Sequence, residues 1–492
     1  MYSRHHISQS AQRAARAGCG VLLSACVLSS ASVAGDWTIT PSIDVEQSFT
    51  DNARSVAEGE QSDMITTTTA GVDVVGVGRR VQLNFNYNLS RDMFWDNTDL
   101  SGFRQSLLGA GNVEAVEDFV FIDARATITQ QSLARNGGES ASERNVATND
   151  QSTVVNYSLT PNFAHRYGNW AESDLRVSFN ETRFLATDVG EAGNQPDASR
   201  SYAITGLVRS GPKFTRTQWE LLTRRTFTNN DSNSDLTELS GEYAWSRKLA
   251  LLGRIGQEKI ENSGFNAEDE RELFYRGGFR LTPGPRTTIR VETGHRFNSV
   301  NYSGDASYQF SSRLSIRATY EEEVQTDRQA LTESLNNLIV GDDGQLIDPD
   351  TGLPAAPNDS ELDFLDQTTR QQTLTLAVNG ASGRNTFNVT ARADKRTQEP
   401  EDTEDTVVSL SGNISRRIRP DLDGGISGNL SVVTESASGI EDITFNGNAF
   451  LTYRLMEDFT GSLRYDYLRR DSDNNAQDLE ENVVSVSIRK IF

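Results

Sequence analysis

The chain has 492 residues, a formal net charge of −22 and only 36% hydrophobic residues. That balance excludes binding to the phosphates of nucleic acid, and after residue 35 no run of about 18 apolar residues remains to form a transmembrane helix. Disorder is excluded as well, because β-branched and aromatic residues recur throughout in alternating order.

The N-terminus reads as a secretory signal peptide. Arg4, Arg13 and Arg16 form a basic start, Gly18 to Leu28 a short apolar core, and Ala31-Ser32-Val33-Ala34 a small-residue cleavage site. Cleavage after residue 34 removes both cysteines, Cys19 and Cys26, so the mature chain has no disulfide and no thiolate metal site. Leu23-Ser24-Ala25-Cys26 resembles a lipoprotein box, but cutting there leaves too short an apolar core ahead of it. Residues 35–492 are expected to form one domain, with no room before Trp37 for a separate plug.

From Trp37 onward the pattern has period two. In chain order the predicted strands are 37–49, 62–76, 79–94, 103–115, 117–132, 151–167, 169–185, 199–212, 214–229, 235–247, 248–261, 271–283, 285–298, 300–311, 313–328, 366–381, 383–399, 403–418, 420–435, 440–453, 455–471 and 479–492. Val81, Leu83, Phe85, Tyr87 and Leu89 alternate with Gln82, Asn84, Asn86 and Asn88. Phe459, Leu463, Tyr465 and Tyr467 alternate with Thr460, Ser462, Arg464 and Asp466. One face is apolar and the other wet.

The connections sort by length. Tight turns follow even-numbered segments, as at Gly168, Pro283-Gly284-Pro285 and Ser382-Gly383. Long polar loops follow most odd-numbered ones, at 50–61, 133–150, 186–198, 262–270, 329–365 and 472–478. Aromatics cluster beside the tight turns: Tyr167, Trp170, Phe214, Trp245, Phe310, Tyr453, Phe459 and Phe492. Short turns on one rim, long loops on the other and aromatic girdles are the pattern of a membrane-spanning barrel. Lipid offers no partner to backbone N–H or C=O, so a spanning sheet must close on itself. The predicted fold is an all-β, antiparallel, up-and-down transmembrane β-barrel of about 22 strands, with 20 as the second count. An even number places both termini on the short-turn, periplasmic side of a bacterial outer membrane.

In the last segment, Val484, Val486, Ile488 and Phe492 share one face, and Ser485, Ser487 and Arg489 share the other. Lys490 interrupts the apolar face near the interface, where its side chain can snorkel. A terminal strand ending in Phe resembles the closing strand of bacterial outer-membrane barrels. That resemblance makes Phe492 the signal read by the barrel assembly machinery.

With apolar residues outward, Arg176, Arg216, Arg224, Arg254, Arg276, Arg280, Arg290, Arg296 and Arg317 point inward. Glu220, Glu242, Glu292 and Glu321 accompany them. Only five of the 47 basic residues are lysine. The guanidinium fork holds carboxylate or phosphate in two-point contact. Two readings stand: a track for an anionic solute or polymer, or a ladder of Arg–Glu pairs that fills and stiffens the lumen. The acidic loop 329–365, starting with a predicted helix over 329–340, suits a lid over the arginines. Asp348 and Asp350 are candidate Ca²⁺ ligands, without the full ligand set of a calcium loop. No cofactor is expected. The mature chain keeps only His165 and His295, and no nucleophile elbow or metal-binding His pair occurs, so an enzyme is not expected.

The opening of the mature chain carries a family likeness. Pro41-Ser42-Ile43 leads to Phe49-Thr50-Asp51-Asn52, then Asp63-Met64-Ile65-Thr66, Ala70-Gly71-Val72 and Gly76-Val77-Gly78-Arg79-Arg80-Val81. Glu117-Asp118-Phe119-Val120 and Gln130-Gln131 follow. This resembles the outer-membrane β-barrel family associated with PEP-CTERM/exosortase systems, of β-barrel porin type, with Ala70-Gly71 where the family pattern has Pro-Gly. The resemblance implies a barrel in bacteria that make an exopolysaccharide; it implies no settled activity, catalytic residue or cofactor. The first functional expectation is a porin-like channel serving exopolysaccharide export. The alternatives are a non-conducting structural or assembly barrel whose loops bind polysaccharide or surface proteins, and a barrel lipid or glycan hydrolase. Expected partners are outer-membrane lipid and lipopolysaccharide, the assembly machinery, and an anionic exopolysaccharide.

Overall fold

A computed structural model describes residues 35–132, 140–144, 151–186, 197–229, 233–260, 272–296, 299–340, 346–347, 368–398, 403–435, 439, 441–474 and 477–492. The signal-peptide residues 1–34 and both calcium candidates, Asp348 and Asp350, lie outside the described residues.

Twenty-two strands form one antiparallel sheet that closes on itself. They are β1 (Gly35–Thr50), β2 (Asp63–Gly78), β3 (Val81–Phe94), β4 (Gly102–Val116), β5 (Val120–Ser132), β6 (Gln151–Tyr167), β7 (Ala171–Ala186), β8 (Ser199–Ser210), β9 (Thr217–Thr228), β10 (Ser234–Ala244) and β11 (Leu249–Ile260). The ring continues with β12 (Glu272–Gly284), β13 (Thr287–Arg296), β14 (Ser299–Ser311) and β15 (Leu314–Thr326). After an insertion it resumes with β18 (Thr368–Ser382), β19 (Asn385–Gln398), β20 (Thr403–Arg419), β21 (Leu422–Glu435), β22 (Asp442–Met456), β23 (Phe459–Ser472) and β24 (Leu479–Ile491). The insertion carries a helix, α1 (Asp327–Asn337), and a ribbon of two-residue strands, β16 (Ile339–Val340) and β17 (Leu346–Ile347). Every predicted strand has its counterpart, within a few residues, and the count is 22 rather than 20.

Each strand pairs with its sequence neighbour, and β1 pairs with β24 to close the ring. Tight turns are built where the chain allows them. Gly168 and Gly383 take φ of +57° and +61° in the β6–β7 and β18–β19 turns, the left-handed backbone that tight hairpins need. The β2–β3 turn falls on Arg79-Arg80, because β2 runs on through Val77 and Gly78.

The register assigns each side chain to a face. Ile39, Ile43, Val45 and Phe49 of β1 are exposed, and so are Val484, Val486 and Ile488 of β24. They make the outer face, which in water would be a continuous apolar surface and in a membrane meets lipid. The inner face holds the buried polar residues, including Asn86, Thr127, Asn156, Glu292 and Glu481. Trp170, Phe214 and Trp219 meet edge to face at about 6 Å on the outer face by the short-turn rim. Phe492 donates its backbone N–H to Pro41 (2.9 Å) at the same rim. Lys490 ion-pairs with Asp458 and lies 5.7 Å from the Phe492 ring, so the charge on the outer face is satisfied locally.

Candidate functional site: the barrel lumen

The strands β9–β15 form an arginine-rich inner wall. Arg254 stands opposite Arg276 across β11–β12, and Arg280 opposite Arg290 across β12–β13. Most of these side chains are paired. Arg254 donates to Glu238 (2.7 Å) and Glu292 (2.8 Å), and Glu292 also takes Arg290 (2.7 Å). Arg280 holds Glu242, and Arg296 forks onto Glu258 at 2.8 and 2.9 Å. Arg317 pairs with Asp305 (2.9 Å) and, on β7, Arg176 with Asp174 (2.7 Å). The ladder is thus present. Glu238 and Glu258 belong to it but escape the sequence reading, although both share the inward parity of Glu242.

The pairing is incomplete. Among the described residues Arg276 has no ion pair, and its Nε and Nη2 are buried without a hydrogen-bond partner. Arg224 is exposed on the inner face and Arg216 exposed in the turn before β9, neither with an ion partner among the described residues. Glu220 and Glu321 also line this wall, opposite Arg209 and Thr373 in the register.

Two segments fold into the lumen from the long-loop rim. The first is α1. Thr326 caps it by a reciprocal capping box: its hydroxyl accepts from Gln329 N (3.2 Å), and the Gln329 side chain accepts from Thr326 N (3.0 Å). The cap moves the helix start to Asp327, two residues ahead of the predicted one. Leu331, Leu335 and Leu338 fall on one face and pack against Leu108, Val154 and Phe184 of β4, β6 and β7. Arg125 donates to Leu338 O (2.6 Å), Thr127 to Leu335 O (3.3 Å) and Asn156 to Asn336 (3.1 Å). The helix therefore runs from β15 to the wall of β4–β7. Beyond the β16–β17 ribbon the rest of the acidic loop lies outside the described residues, so the lid over the arginines does too.

The second is residues 140–144, between β5 and β6. Its anchor is Glu481 of β24, which is fully buried. The Glu481 carboxylate accepts from the Thr50 hydroxyl (2.6 Å), Ser140 hydroxyl (3.1 Å), Ala141 N (2.8 Å) and Arg144 Nη2 (2.8 Å) and Nε (3.2 Å). Arg144, only 2% exposed, also donates to Ala53 O (2.5 Å) and Asn52 O (2.9 Å). Ala141 packs beneath with Leu468, Leu479 and Val483.

The Thr50-Asp51-Asn52 stretch clasps the seam. Asp51 accepts from Asn482 N and Nδ2, both at 2.8 Å. Asn52 donates to Val56 O (2.8 Å) and Glu480 O (3.1 Å). Asp63 serves the neighbouring loop, accepting from Trp95 N, Asp96 N and Asn97 N. Those motif residues thus fix the long-loop end of β1 to β24 and the start of β2 to the loop after β3. Asp51→Ala is expected to lower the denaturant midpoint of the refolded barrel by the equivalent of about 1–3 kcal/mol, the cost of orphaning two donors; an unchanged midpoint would remove the clasp role.

At the opposite rim, Arg384, Arg417 and Arg454 surround a cavity of about 290 Å³ with Pro420. No group of three metal-ligating side chains occurs among the described residues. His165 and His295 lie on the outer face against Tyr167 (4.6 Å) and Tyr275 (6.3 Å).

No protein-family model matches the chain, and no curated protein matches it. Solved structures do. The siderophore receptor PirA from Acinetobacter baumannii aligns at TM-score 0.53 and 8% identity, over 92% of this chain and 80% of that one. A mutant of the ferric enterobactin receptor PfeA from Pseudomonas aeruginosa, in complex with enterobactin, aligns at 0.51 and 9%, over 92% and 81%. The ferric-catecholate import receptor Fiu from E. coli K12 aligns at 0.50 and 10%, over 92% and 81%. At such identities the likeness is one of fold alone, the closed, 22-stranded antiparallel barrel described above.

Proposed function

We propose that the protein is a porin-like channel of the bacterial outer membrane that passes anionic solutes along the β9–β15 wall. The observation that carries this reading is the asymmetry of the lumen. Both described inward segments dock on the walls made by β4–β7 and by β23, β24 and β1. The opposite wall keeps exposed arginines, Arg224 and Arg317 among them. The short-turn rim, with Arg384, Arg417 and Arg454, is then the periplasmic mouth, and both termini face the periplasm. Phe492 is the assembly signal. The cargo class is an anionic polymer or its fragments, in keeping with exopolysaccharide export in a PEP-CTERM/exosortase setting.

A second reading is favoured by the paired arginines: a barrel stiffened by Arg–Glu ladders that conducts nothing and presents its loops to polysaccharide or surface proteins. Liposome swelling separates the two. Proteoliposomes of the refolded chain are expected to swell faster in glucuronate than in glucosamine of equal osmolarity. Swelling in neither sugar favours the filled barrel, and faster swelling in glucosamine contradicts the anion reading.

A further inference from the structure

Across β11–β13 every inward carboxylate among the described residues is committed, and one guanidinium there is left over. Across β11–β13 the inner face carries five arginines: Arg254, Arg276, Arg280, Arg290 and Arg296. Four carboxylates serve them. Glu238 and Glu292 hold Arg254, Glu292 also holds Arg290, Glu242 holds Arg280, and Glu258 holds Arg296. Glu272, at the start of β12, faces His295 at 3.7 Å. Among the described residues Arg276 therefore stands between Arg254 and Arg296 with no counter-charge of its own.

Its unsatisfied atoms are chemically specific. Nε and Nη2 form one edge of the guanidinium, the edge that grips two oxygens of one anion. Elsewhere in this barrel that edge is filled by a carboxylate: Arg280 by Glu242, Arg296 by Glu258, Arg209 by Glu172 and Arg392 by Asp394. At Arg276 the same edge has no acceptor. Two inward glycines, Gly278 and Gly294, flank the site, and at either a Cβ would collide with backbone within 2.0 Å. The backbones therefore approach closely there, leaving no room for a Cβ at either position. The side chain as a whole is half-buried, so part of it is open to the lumen, and two-point binding requires the guanidinium to turn its buried edge outward.

We propose that Arg276 is a two-point binding site for an oxyanion, the carboxylate or phosphate group of a solute in the lumen, with Arg254 and Arg296 supplying the surrounding positive field. The site names the ligand class for the channel proposed above and rests on that reading only for the anion's access. Phosphate and carboxylate share this chemistry, two oxygens matched to the two N–H groups of the fork.

The test is equilibrium binding, which does not require conduction. The full mature chain, refolded in detergent, is titrated calorimetrically with glucuronate and, separately, inorganic phosphate against a chloride background. Saturable binding is expected, and the tighter of the two identifies the preferred group. Arg276→Gln is expected to weaken binding about tenfold or more, one charge-assisted contact's worth. Arg276→Lys keeps the charge but loses the fork, and is expected to weaken binding as well. Arg313→Gln, in a short turn, is the control and leaves binding unchanged. Heat-modifiable gel migration verifies that each variant is a folded barrel, and Arg276→Lys carries the test if the glutamine variant does not fold. No saturable binding by the wild type to about 50 mM of either anion, or wild-type affinity in both Arg276 variants, overturns the proposal. Binding at Arg276 without swelling or conductance would instead retain the site and reject the channel.

Discussion

Glu481→Ala is expected to destabilise the folded barrel by about 3–5 kcal/mol, because it removes the buried carboxylate that pairs with the Arg144 guanidinium. Both partners are out of solvent, at 2% and 0% exposure, so screening by water does not discount the pair as it does for surface bridges. The carboxylate also ties three chain regions together: Thr50 at the end of β1, the inserted 140–144 segment, and β24 itself. Its loss should therefore be felt at the closing seam as well as in the insertion. The measurement is the urea midpoint in micelles, with proteolysis at the 133–150 loop as the local readout. Glu481→Gln, which keeps an acceptor oxygen but not the charge, is expected to fall between wild type and alanine. A double-mutant cycle with Arg144→Met isolates the pair. A wild-type midpoint for Glu481→Ala would show that the seam closes without the latch.

The second large effect concerns α1. Leu335 is 1% exposed and packs on Leu108, Val154 and Phe184. Truncating such a residue to alanine costs roughly 2–5 kcal/mol, and Leu335→Asp adds an unpaired buried carboxylate. Leu335→Asp is expected to release α1 from the wall while the barrel stays closed, since the strand ladder does not depend on the helix. Amide exchange reads this directly. Protection across Asp327–Asn337 should collapse while protection in β5–β7 persists. Retained protection in the helix would mean that its polar anchors through Arg125, Thr127 and Asn156 suffice without the leucines.

The two insertions explain what the sequence made legible and what it hid. The strands were readable because lipid on one side and water on the other impose a strict period of two, and because closure leaves no alternative for backbone hydrogen bonds. The inward parity of the arginines follows from the same period. The insertions do not announce themselves. Residues 140–144 read as ordinary polar loop, since their burial comes from the far wall and not from their own pattern. A signal did exist on that wall. Leu468, Leu479 and Val483 sit at inward positions, as do Leu108, Val154 and Phe184. Apolar residues on a wet face mark where something docks, and these two groups are the two docking sites. Glu481, inward between Leu479 and Val483, is a carboxylate in an apolar patch, which calls for a buried cation. Arg144 could not be chosen from 42 arginines by spacing alone. The Thr50-Asp51-Asn52 stretch stands out in the sequence for its family likeness, and its physical role as the seam clasp appears only once β1 lies beside β24.

The most direct test of the channel reading is the reversal potential of single channels of the refolded mature chain, recorded in a planar bilayer under a potassium chloride gradient. Stable openings whose reversal potential shifts toward the chloride equilibrium value are expected, with the shift reduced when Arg224 and Arg317 are replaced by glutamine. A bilayer that stays closed, for the wild type and for the Leu335→Asp and Glu481→Ala variants alike, or a potential on the potassium side, would contradict it.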